Sequence, residues 1–272
     1  MKNLMIYASA DHQFDHEIKR TMKVQIDNSL NLGWQKEDII LATNFPYEYN
    51  GVKSLIVSDD NLCPFFRWNA KNNIILELFE RGIIDDDIFW YHDCDVFQCV
   101  SFNPDEILPD KKMDMALTDY GRWNMWSCGS VYFRKEAFDI WTGIRKFLYD
   151  LRIAEEMSLM ILTYGYDKTD PPYDKHTGYV SNKKLDAPIK PQVDISRVNK
   201  LNISYNFIFL WKSNRIHKLY EMADKPIKAV HFHPLIPYDN MNMLDFFMGK
   251  NDMNTILMPD SLIEVFKEHK FL

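Results

Sequence analysis

The stretch Ile88-Phe89-Trp90-Tyr91-His92-Asp93-Cys94-Asp95-Val96-Phe97 carries the strongest structural signal in the sequence. Its apolar beginning predicts a buried strand, Ile88–His92, that ends in two carboxylates one residue apart. Ligands of open α/β sheets collect beyond the carboxyl ends of the strands, and two close carboxylates there suit a hard divalent cation that also takes diphosphate oxygens. An isolated pair of this kind is more often a surface turn with two solvated Asp residues. The apolar strand before Asp93 and Asp95 favours the metal and diphosphate site.

Short apolar runs bounded by polar turns recur along the chain, and several are separated by segments with helical periodicity. Apolar positions at steps of three and four predict amphipathic helices over Phe14–Leu32 and Trp68–Arg81, and Gly82 suits the end of the second. This alternation predicts a mostly parallel sheet with crossover helices. Further strands are predicted at Leu4–Ala8, Asp38–Ala42, Val52–Val57, Met115–Thr118, Ser130–Phe133 and Ile227–His231, and further helices at Phe138–Leu151, Ala154–Tyr164 and Ser261–Lys270.

The overall composition is that of an ordinary folded protein. Hydrophobic residues make up 46% and charged residues 26% of the 272 residues, a balance that one α/β domain with a packed core accommodates. The formal net charge of −7 removes the broad attraction to phosphate backbones that a nucleic-acid binder carries. Nucleic acid is therefore not expected as a partner or acceptor.

The cysteines and the first residues bear on the compartment. The four cysteines form no CxxC pair, so neither a zinc site nor a disulfide framework is indicated, and reduced thiols fit a cytoplasmic protein. The apolar start Leu4–Ala8 is shorter than the core of a signal peptide, and no later run approaches the ~20 residues of a membrane span. We expect a cytoplasmic protein with no membrane span. The cysteines are Cys63, Cys94, Cys99 and Cys128.

The order and spacing of several segments resemble those of the GT-A class of glycosyltransferases, and the resemblance covers most of the chain. It implies a GT-A (Rossmann-like) α/β fold whose mixed, mostly parallel central sheet is flanked by helices, in one domain over residues 1–272. Residues 1–135 would bind the nucleotide sugar. Residues 136–272 would form the acceptor side, with a long irregular loop at 165–192 of the kind that often serves as a lid or binding loop. The matching segments are Leu76–Gly82, Asp93-Cys94-Asp95, Trp126–Arg134 and Ala229–Pro234.

The resemblance also implies a metal site. In that class the second Asp of the motif chelates Mn²⁺ or Mg²⁺, the first contacts metal or ribose, and a C-terminal His often completes the site. These roles fall on Asp95, Asp93 and His231. His231 and His233 alternate by two, so on a strand they face the same side. We expect His231 to bind the metal and His233 to contact the bound diphosphate, although the spacing alone leaves the choice between them open.

Other residues are expected to contact the nucleotide sugar. Ala8 and Asp11 lie at the end of the first strand, where similar enzymes seat the base and ribose. Arg67 and Lys71 stand one helical turn apart and can point to the same side. Basic residues at this place contact the nucleotide in similar enzymes, and the alternative is a solvated helix face.

Small residues mark two further places near the expected donor. Cys94 lies between the two carboxylates of the motif and is expected to contact the donor. Gly129 precedes a strand, where a residue without a side chain lets another group approach the backbone closely. We expect that group to be the donor sugar or the diphosphate. Similar enzymes have Asn or another polar residue near Cys128, so no side-chain role is assigned to Cys128. Asp119 follows a predicted strand and is expected to contact a donor-sugar hydroxyl, with a turn cap as the alternative.

Glu155 and Glu156 are the candidate catalytic bases. In inverting members of the class, an acidic residue at a matching place takes the proton of the acceptor hydroxyl. Carboxylates also suit a helix N-terminus because of its dipole, and that alternative stays open. Several aromatic residues could stack on sugar rings, although aromatic side chains more often belong to the core. They are Trp123, Trp126, Tyr164, Tyr166 and Tyr173.

Together these features predict transfer of a sugar from a nucleoside diphosphate sugar to a hydroxyl acceptor, with a glycan as the expected acceptor. One alternative is a HAD-type phosphatase, which also places such a motif after an apolar strand. That class needs Thr or Val two residues after the second Asp, where Phe97 stands. The other alternative is a catalytically silent GT-A-like module that binds a sugar or nucleotide, which the intact Asp93, Asp95 and His231 disfavour.

Overall fold

The computed structural model describes residues 1–64, 69–119, 126–168, 185–210, 216–233 and 259–271, without the side chains of residues 209, 210, 216, 217 and 233. Its strands are β1 (Lys2–Tyr7), β2 (Ile39–Thr43), β3 (Glu48–Tyr49), β4 (Val52–Ile56), β5 (Phe89–His92), β6 (Val96–Gln98), β7 (Met115–Asp119), β8 (Trp126–Phe133), β9 (Val198–Lys200), β10 (Phe207–Leu210) and β11 (Ala229–His233). Its helices are α1 (His16–Asn31), α2 (Ala70–Glu80), α3 (Pro104–Ile107), α4 (Phe138–Leu151), α5 (Glu155–Tyr164), α6 (Ile216–Met222) and α7 (Asp260–Glu268).

The larger sheet of the described chain has eight strands in the order β3-β4-β2-β1-β5-β8-β7-β9. Strands β4, β2, β1 and β5 run parallel, and β9 runs parallel to β7. Strand β8 is antiparallel to both of its neighbours, and β3 is antiparallel to β4. The prediction of a mixed, mostly parallel α/β sheet is confirmed.

Helices cover both faces of this sheet. Leu4 and Ile6 of β1 pack into the cluster that includes residues of α2, α4 and α5, whereas Met5, between them, packs with residues of α1. Successive side chains of a strand point to opposite faces, so each face of β1 is buried under a different set of helices. Strands β5 and β8 lie in the middle of the sheet, and every one of their residues is buried. A strand that is buried on both faces has few positions for charged residues, so it is recognised in the sequence as an apolar run.

A second, three-stranded sheet of the described residues has the order β10-β11-β6 and carries His231 on its middle strand. Strand β11 runs antiparallel to β6, and His231 lies opposite Val96. We did not predict β6, because Val96–Gln98 is short and follows directly on the carboxylate motif. The strand predicted at Ile227–His231 is displaced by two residues in the structure. Its pairing with β6 brings His231 beside Asp95.

Two further expectations have a structural outcome. All four cysteines are free thiols. No helix among the described residues is long and apolar enough to span a membrane. Of the predicted long loop, residues 165–168 and 185–192 are irregular apart from a bridge between Tyr166 and Ile189, while residues 169–184 lie outside the described part.

Candidate metal centre and active site

The carboxylate motif forms a tight turn between β5 and β6 that neighbouring strands hold on both sides. The backbone N–H of Asp93 donates to the carbonyl of Gly129 in β8 at 2.8 Å, and the N–H of Val96 donates back to the carbonyl of Asp93 at 3.1 Å. On the other side, the N–H of Phe232 in β11 donates to the carbonyl of Asp95 at 2.9 Å. The turn is therefore fixed between the centre of the large sheet and the middle strand of the small one.

Asp93, Asp95 and His231 come together at this turn. Each offers one ligand atom, and these atoms lie within 4.8 Å of one another. Nε2 of His231 is 3.3 Å from Oδ1 of Asp95. The histidine is only 5% exposed, whereas the two carboxylates are half-buried. Two carboxylates and an imidazole that face one point suit Mn²⁺, and Mg²⁺ would favour the two oxygen ligands.

Gly129 provides the space for this arrangement. A Cβ atom added to Gly129 would lie 2.8 Å from Nδ1 of His231, closer still to its Cε1, and 3.2 Å from Oδ2 of Asp93. Any other residue would push the imidazole away from the carboxylates. The need for a small residue was predicted, but its immediate neighbours are two of the candidate metal ligands. A contact of Gly129 with the donor stays a prediction.

Three uncharged polar side chains, those of Gln25, His92 and Asn3, form a hydrogen-bond network behind the turn. Nε2 of Gln25, on α1, donates to the carbonyls of Asp93 and Val96 at 2.9 and 2.8 Å. Nε2 of His92 is 2.9 Å from Oδ1 of Asn3. Burial lowers the pKa of His92 to about 4, so its ring is neutral at neutral pH. Sequence reasoning missed Asn3 and Gln25, although polar residues inside an apolar strand and on the buried face of a helix are a usable signal.

A buried cation stands behind the first carboxylate. Nζ of Lys71 donates to Oδ1 of Asp93 at 2.9 Å and forms an ion pair with Glu155. The hydroxyl of Tyr91 donates to the same oxygen of Asp93, and Nδ2 of Asn72 donates to Glu155 at 2.9 Å. Burial alone would lower the pKa of Lys71, but the charges of Asp93 and Glu155 outweigh burial and raise it well above its ordinary value. Lys71 is therefore a permanent positive charge.

The burial of Lys71 decides between the two alternatives given for it. The residue is only 7% exposed, which excludes a solvated helix face. A contact of Lys71 with the nucleotide stays a prediction.

The same network distinguishes Glu155 from Glu156, to which sequence reasoning assigned the same role. Glu155 is as buried as Lys71, and desolvation raises its pKa even though Lys71 acts in the opposite direction. Glu156 is half-buried, and its Oε1 accepts from the N–H of Cys128 at 3.3 Å. The two glutamates at the start of α5 thus differ in burial and in their partners.

Asp119 ends β7, one residue beyond the predicted strand, at the sheet edge that also carries Asp93. Its buried carboxylate forms an ion pair with the exposed Lys200 at the end of β9. Strand β7 lies two strands away from β5, which corresponds to roughly 10 Å across a sheet. Asp119 is therefore on the predicted edge but beside the metal centre rather than in it.

The other predicted donor-binding residues lie around the same edge or outside the described part. Ala8 and the exposed Asp11 follow β1, where the N–H of Asp11 donates to Oγ of Ser9 at 3.2 Å. The side chain of Cys94 packs against the cluster beneath β1, and burial and nearby carboxylates raise the pKa of its thiol. Cys94 is thus a protonated packing residue in this structure. Arg67, Trp123, Tyr173 and the side chain of His233 lie outside the described residues.

No protein family model matches the sequence, and no curated protein matches it. The fold is that of the GT-A glycosyltransferases. The chain superposes on an active-site mutant of LgtC with a TM-score of 0.55 at 9% identity, covering 98% of this chain and 96% of that one. It superposes on galactosyltransferase LgtC in complex with donor and acceptor sugar analogues with a TM-score of 0.53 at 11% identity, covering 89% and 91%.

A third similar structure is the glycosyltransferase GlyE of Streptococcus pneumoniae, with a TM-score of 0.52 at 11% identity. This likeness covers 98% of the present chain but only 64% of GlyE. At such identities the likeness is one of fold, and it confirms the architecture expected from the sequence.

Proposed function

We propose that the protein is a divalent-metal-dependent glycosyltransferase, which moves a sugar from a nucleoside diphosphate sugar to a hydroxyl acceptor on a glycan. The observation that carries this proposal is the convergence of Asp93, Asp95 and His231 at the carboxyl edge of a GT-A sheet. Open α/β sheets bind their ligands at this edge. Three structures of two glycosyltransferases, LgtC and GlyE, share this fold and also support the proposal.

The residues of the site have separate tasks in this reaction. Asp93, Asp95 and His231 would hold Mn²⁺ or Mg²⁺, which when bound would supply positive charge for the leaving diphosphate. Lys71 fixes one oxygen of Asp93, and Gly129 leaves room for the imidazole. Because these groups are positioned before substrate binds, little reorganisation is needed when charge develops on the leaving group.

The remaining predicted donor contacts surround this centre. The base and ribose are assigned to the end of β1 at Ala8 and Asp11, and the diphosphate to the motif. His233 is a further proposed phosphate contact, and Arg67 is a proposed nucleotide contact. The donor sugar is assigned to the side of Gly129 and Asp119. Both Ala8 and Asp119 lie at the carboxyl edge of the sheet on opposite sides of β5, so a donor that crosses the motif would extend between them.

Glu156 is the better candidate for the residue that accepts the proton of the acceptor hydroxyl. Lys71 and Asn72 already bind the carboxylate of Glu155, so that group positions Lys71 instead. Glu156 follows it on the same helix turn and is half-buried. The role applies to a transfer that inverts the anomeric centre, and the configuration of the product, measured by NMR, tests it.

The experiment that tests the proposal is a screen for nucleotide release. UDP-glucose, UDP-galactose, UDP-N-acetylglucosamine and GDP-mannose are each incubated with the protein, with Mn²⁺ or with EDTA. The expected result is Mn²⁺-dependent release of the nucleoside diphosphate from at least one donor by slow hydrolysis. A module that only binds would show donor affinity in calorimetry without release. Release of inorganic phosphate from phosphate monoesters would instead identify a phosphatase.

A further inference from the structure

Aromatic residues around the candidate site differ sharply in exposure. Of those considered as sugar-stacking residues, Trp126 is 1% exposed and belongs to the core, whereas Tyr164 is 39% exposed. Tyr166 is intermediate. A large aromatic ring that remains exposed at the end of a buried helix therefore sets Tyr164 apart among the described candidates.

The ring of Tyr164 is held in place. It stacks on Trp126 with centroids 5.8 Å apart and an angle of 18° between the planes. Trp126 is fixed in turn, because its Nε1 donates to Oγ1 of Thr163 at 2.9 Å. The helix ends at once in Gly165, which has φ +75° and whose added Cβ would lie 2.6 Å from the carbonyl oxygen of Ile189. The ring of Tyr164 therefore presents a flat aromatic face whose orientation is fixed before any ligand binds.

Charged groups flank this surface. Asp119 lies opposite Trp126 in the antiparallel pairing of β7 with β8, and the ring of Trp126 is the one on which Tyr164 stacks. Side chains that lie opposite each other in such a pair share one face of the sheet, so the carboxylate of Asp119 is a neighbour of the stacked rings. Lys200 and Asp119 form an ion pair with each other. A flat aromatic ring beside an ammonium and a carboxylate is suited to a saccharide, because the C–H face of the sugar stacks and its hydroxyls donate to or accept from the charged groups.

The position of this surface fits an acceptor rather than a donor. Asp119 lies at the end of β7, on the same sheet edge as the metal centre and two strands from β5, or roughly 10 Å away. A sugar on Tyr164 would therefore lie outside the centre that binds the diphosphate. An acceptor longer than one sugar could place one ring there and its reacting hydroxyl at the donor.

We infer that Tyr164 and Lys200 form a saccharide subsite that holds a non-reacting ring of a glycan acceptor, with Asp119 at its border with the proposed donor-sugar site. The description of the ligand as an acceptor rests on the proposed function, but binding of a saccharide at Tyr164 does not require it. The subsite would favour acceptors of more than one sugar, since a single sugar cannot occupy both places.

Titration of the isotope-labelled protein by NMR tests the inference. The probes are methyl β-glucopyranoside, methyl β-galactopyranoside and methyl α-mannopyranoside, each added with EDTA and without nucleotide. At least one probe should bind the wild-type protein. Tyr164→Ala should weaken that binding by roughly 2- to 12-fold, the range of an aromatic contact, while Tyr164→Phe should retain it. The matched control is Phe138→Ala, which removes another exposed aromatic ring and should leave binding unchanged.

Failure of the subsite and failure of the proposed function give different results. No binding of any probe, or equal binding by wild type and Tyr164→Ala, overturns the subsite. Mn²⁺-dependent donor hydrolysis is measured on the same variants and should be unchanged in Tyr164→Ala, because the inferred subsite lies outside the proposed donor site. Binding of the glycosides through Tyr164 without any release of nucleotide would support the subsite and contradict the proposed transferase function.

Discussion

The ammonium of Lys71 donates to Oδ1 of Asp93 over 2.9 Å, so the first carboxylate of the motif has a buried positive charge behind it. Glu155 binds the same ammonium. One oxygen of Asp93 is therefore held by the protein, while the other, Oδ2, lies on the side of Gly129 and His231. This relationship gives Lys71 a positioning role that the predicted nucleotide contact did not include.

Removal of the Lys71 charge is expected to destabilise the fold. Lys71→Met leaves the buried Glu155 and the half-buried Asp93 without their shared cation, and the free energy of unfolding should fall by about 3–5 kcal/mol. Urea unfolding measures the difference. The control is Lys146→Met, which removes an exposed ion pair with Asp150 and should cost less than about 1 kcal/mol. Equal losses in both variants would contradict the role of Lys71.

Gly129→Ala is expected to weaken metal binding while the fold survives. The added methyl group would occupy the place of the His231 ring, and the imidazole would have to turn away from the carboxylates. Mn²⁺ affinity in calorimetry should fall by roughly 10- to 100-fold, as when groups that orient a ligand are changed. Gly143→Ala is the matched control, because the atoms nearest to its added Cβ belong to the flexible side chain of Leu162 and not to the site. Metal affinity should be unchanged there.

Asp95→Ala is expected to abolish Mn²⁺ binding and nucleotide release. Asp95 is a half-buried carboxylate beside His231, so its removal takes away a proposed ligand and little core packing. The unfolding free energy should stay close to that of the wild-type protein. Asp86→Ala, which removes an exposed carboxylate on the loop before β5, should bind the metal normally. Normal Mn²⁺ affinity of Asp95→Ala would refute the proposed metal centre.

The two glutamates of α5 should respond differently to neutralisation. Glu156→Gln is expected to lower turnover by roughly 10²–10⁴-fold, the range of positioned proton transfer, with unchanged donor affinity. Glu155→Gln should lower stability more than turnover, because it weakens the pairing of Lys71. Transfer assays and urea unfolding on both variants distinguish the two effects. Near-normal transfer by Glu156→Gln would leave only its place at the helix N-terminus as an explanation.

A surface contact of α4 should make stability depend on pH in acid. Arg197 donates to both oxygens of Asp139 at 2.7 Å, and these hydrogen bonds lower the pKa of Asp139 below its ordinary 3.8. The contribution is present above that ordinary value and is lost as pH falls through the lowered one. Asp139→Asn, which leaves the pairing of Arg197 with the buried Asp114 in place, should cost about 1 kcal/mol at pH 7, since solvent screens the exposed Asp139.

Urea unfolding of wild type and Asp139→Asn at pH 7, 5 and 3 tests this dependence. The difference between the two proteins should shrink at the lowest pH, where Asp139 begins to be protonated. A difference that is constant over this range would show that the charge of Asp139 does not contribute to stability and would contradict the prediction.

Most of the main helices and strands could be predicted from the sequence, because the apolar patterns that indicate them lie within a few neighbouring residues. Strand β5 is a continuous apolar run, and α4 has the period of a helix buried on one face, so its bounds Phe138–Leu151 were predicted as observed. The two carboxylates after β5 are neighbours in the chain, and their chemistry needs no tertiary information. The short strand β6 carried too few residues to show a period.

Proximity between distant residues was decided by the tertiary structure. The resemblance proposed His231 as a ligand, but only the antiparallel pairing of β11 with β6 places it beside Asp95. The burial of Lys71 and the exposure of Tyr164 follow from which helices pack over which strands. A local pattern records which face of an element is apolar. It does not record which other element covers that face, because that contact depends on sheet order and on side chains far away in the chain.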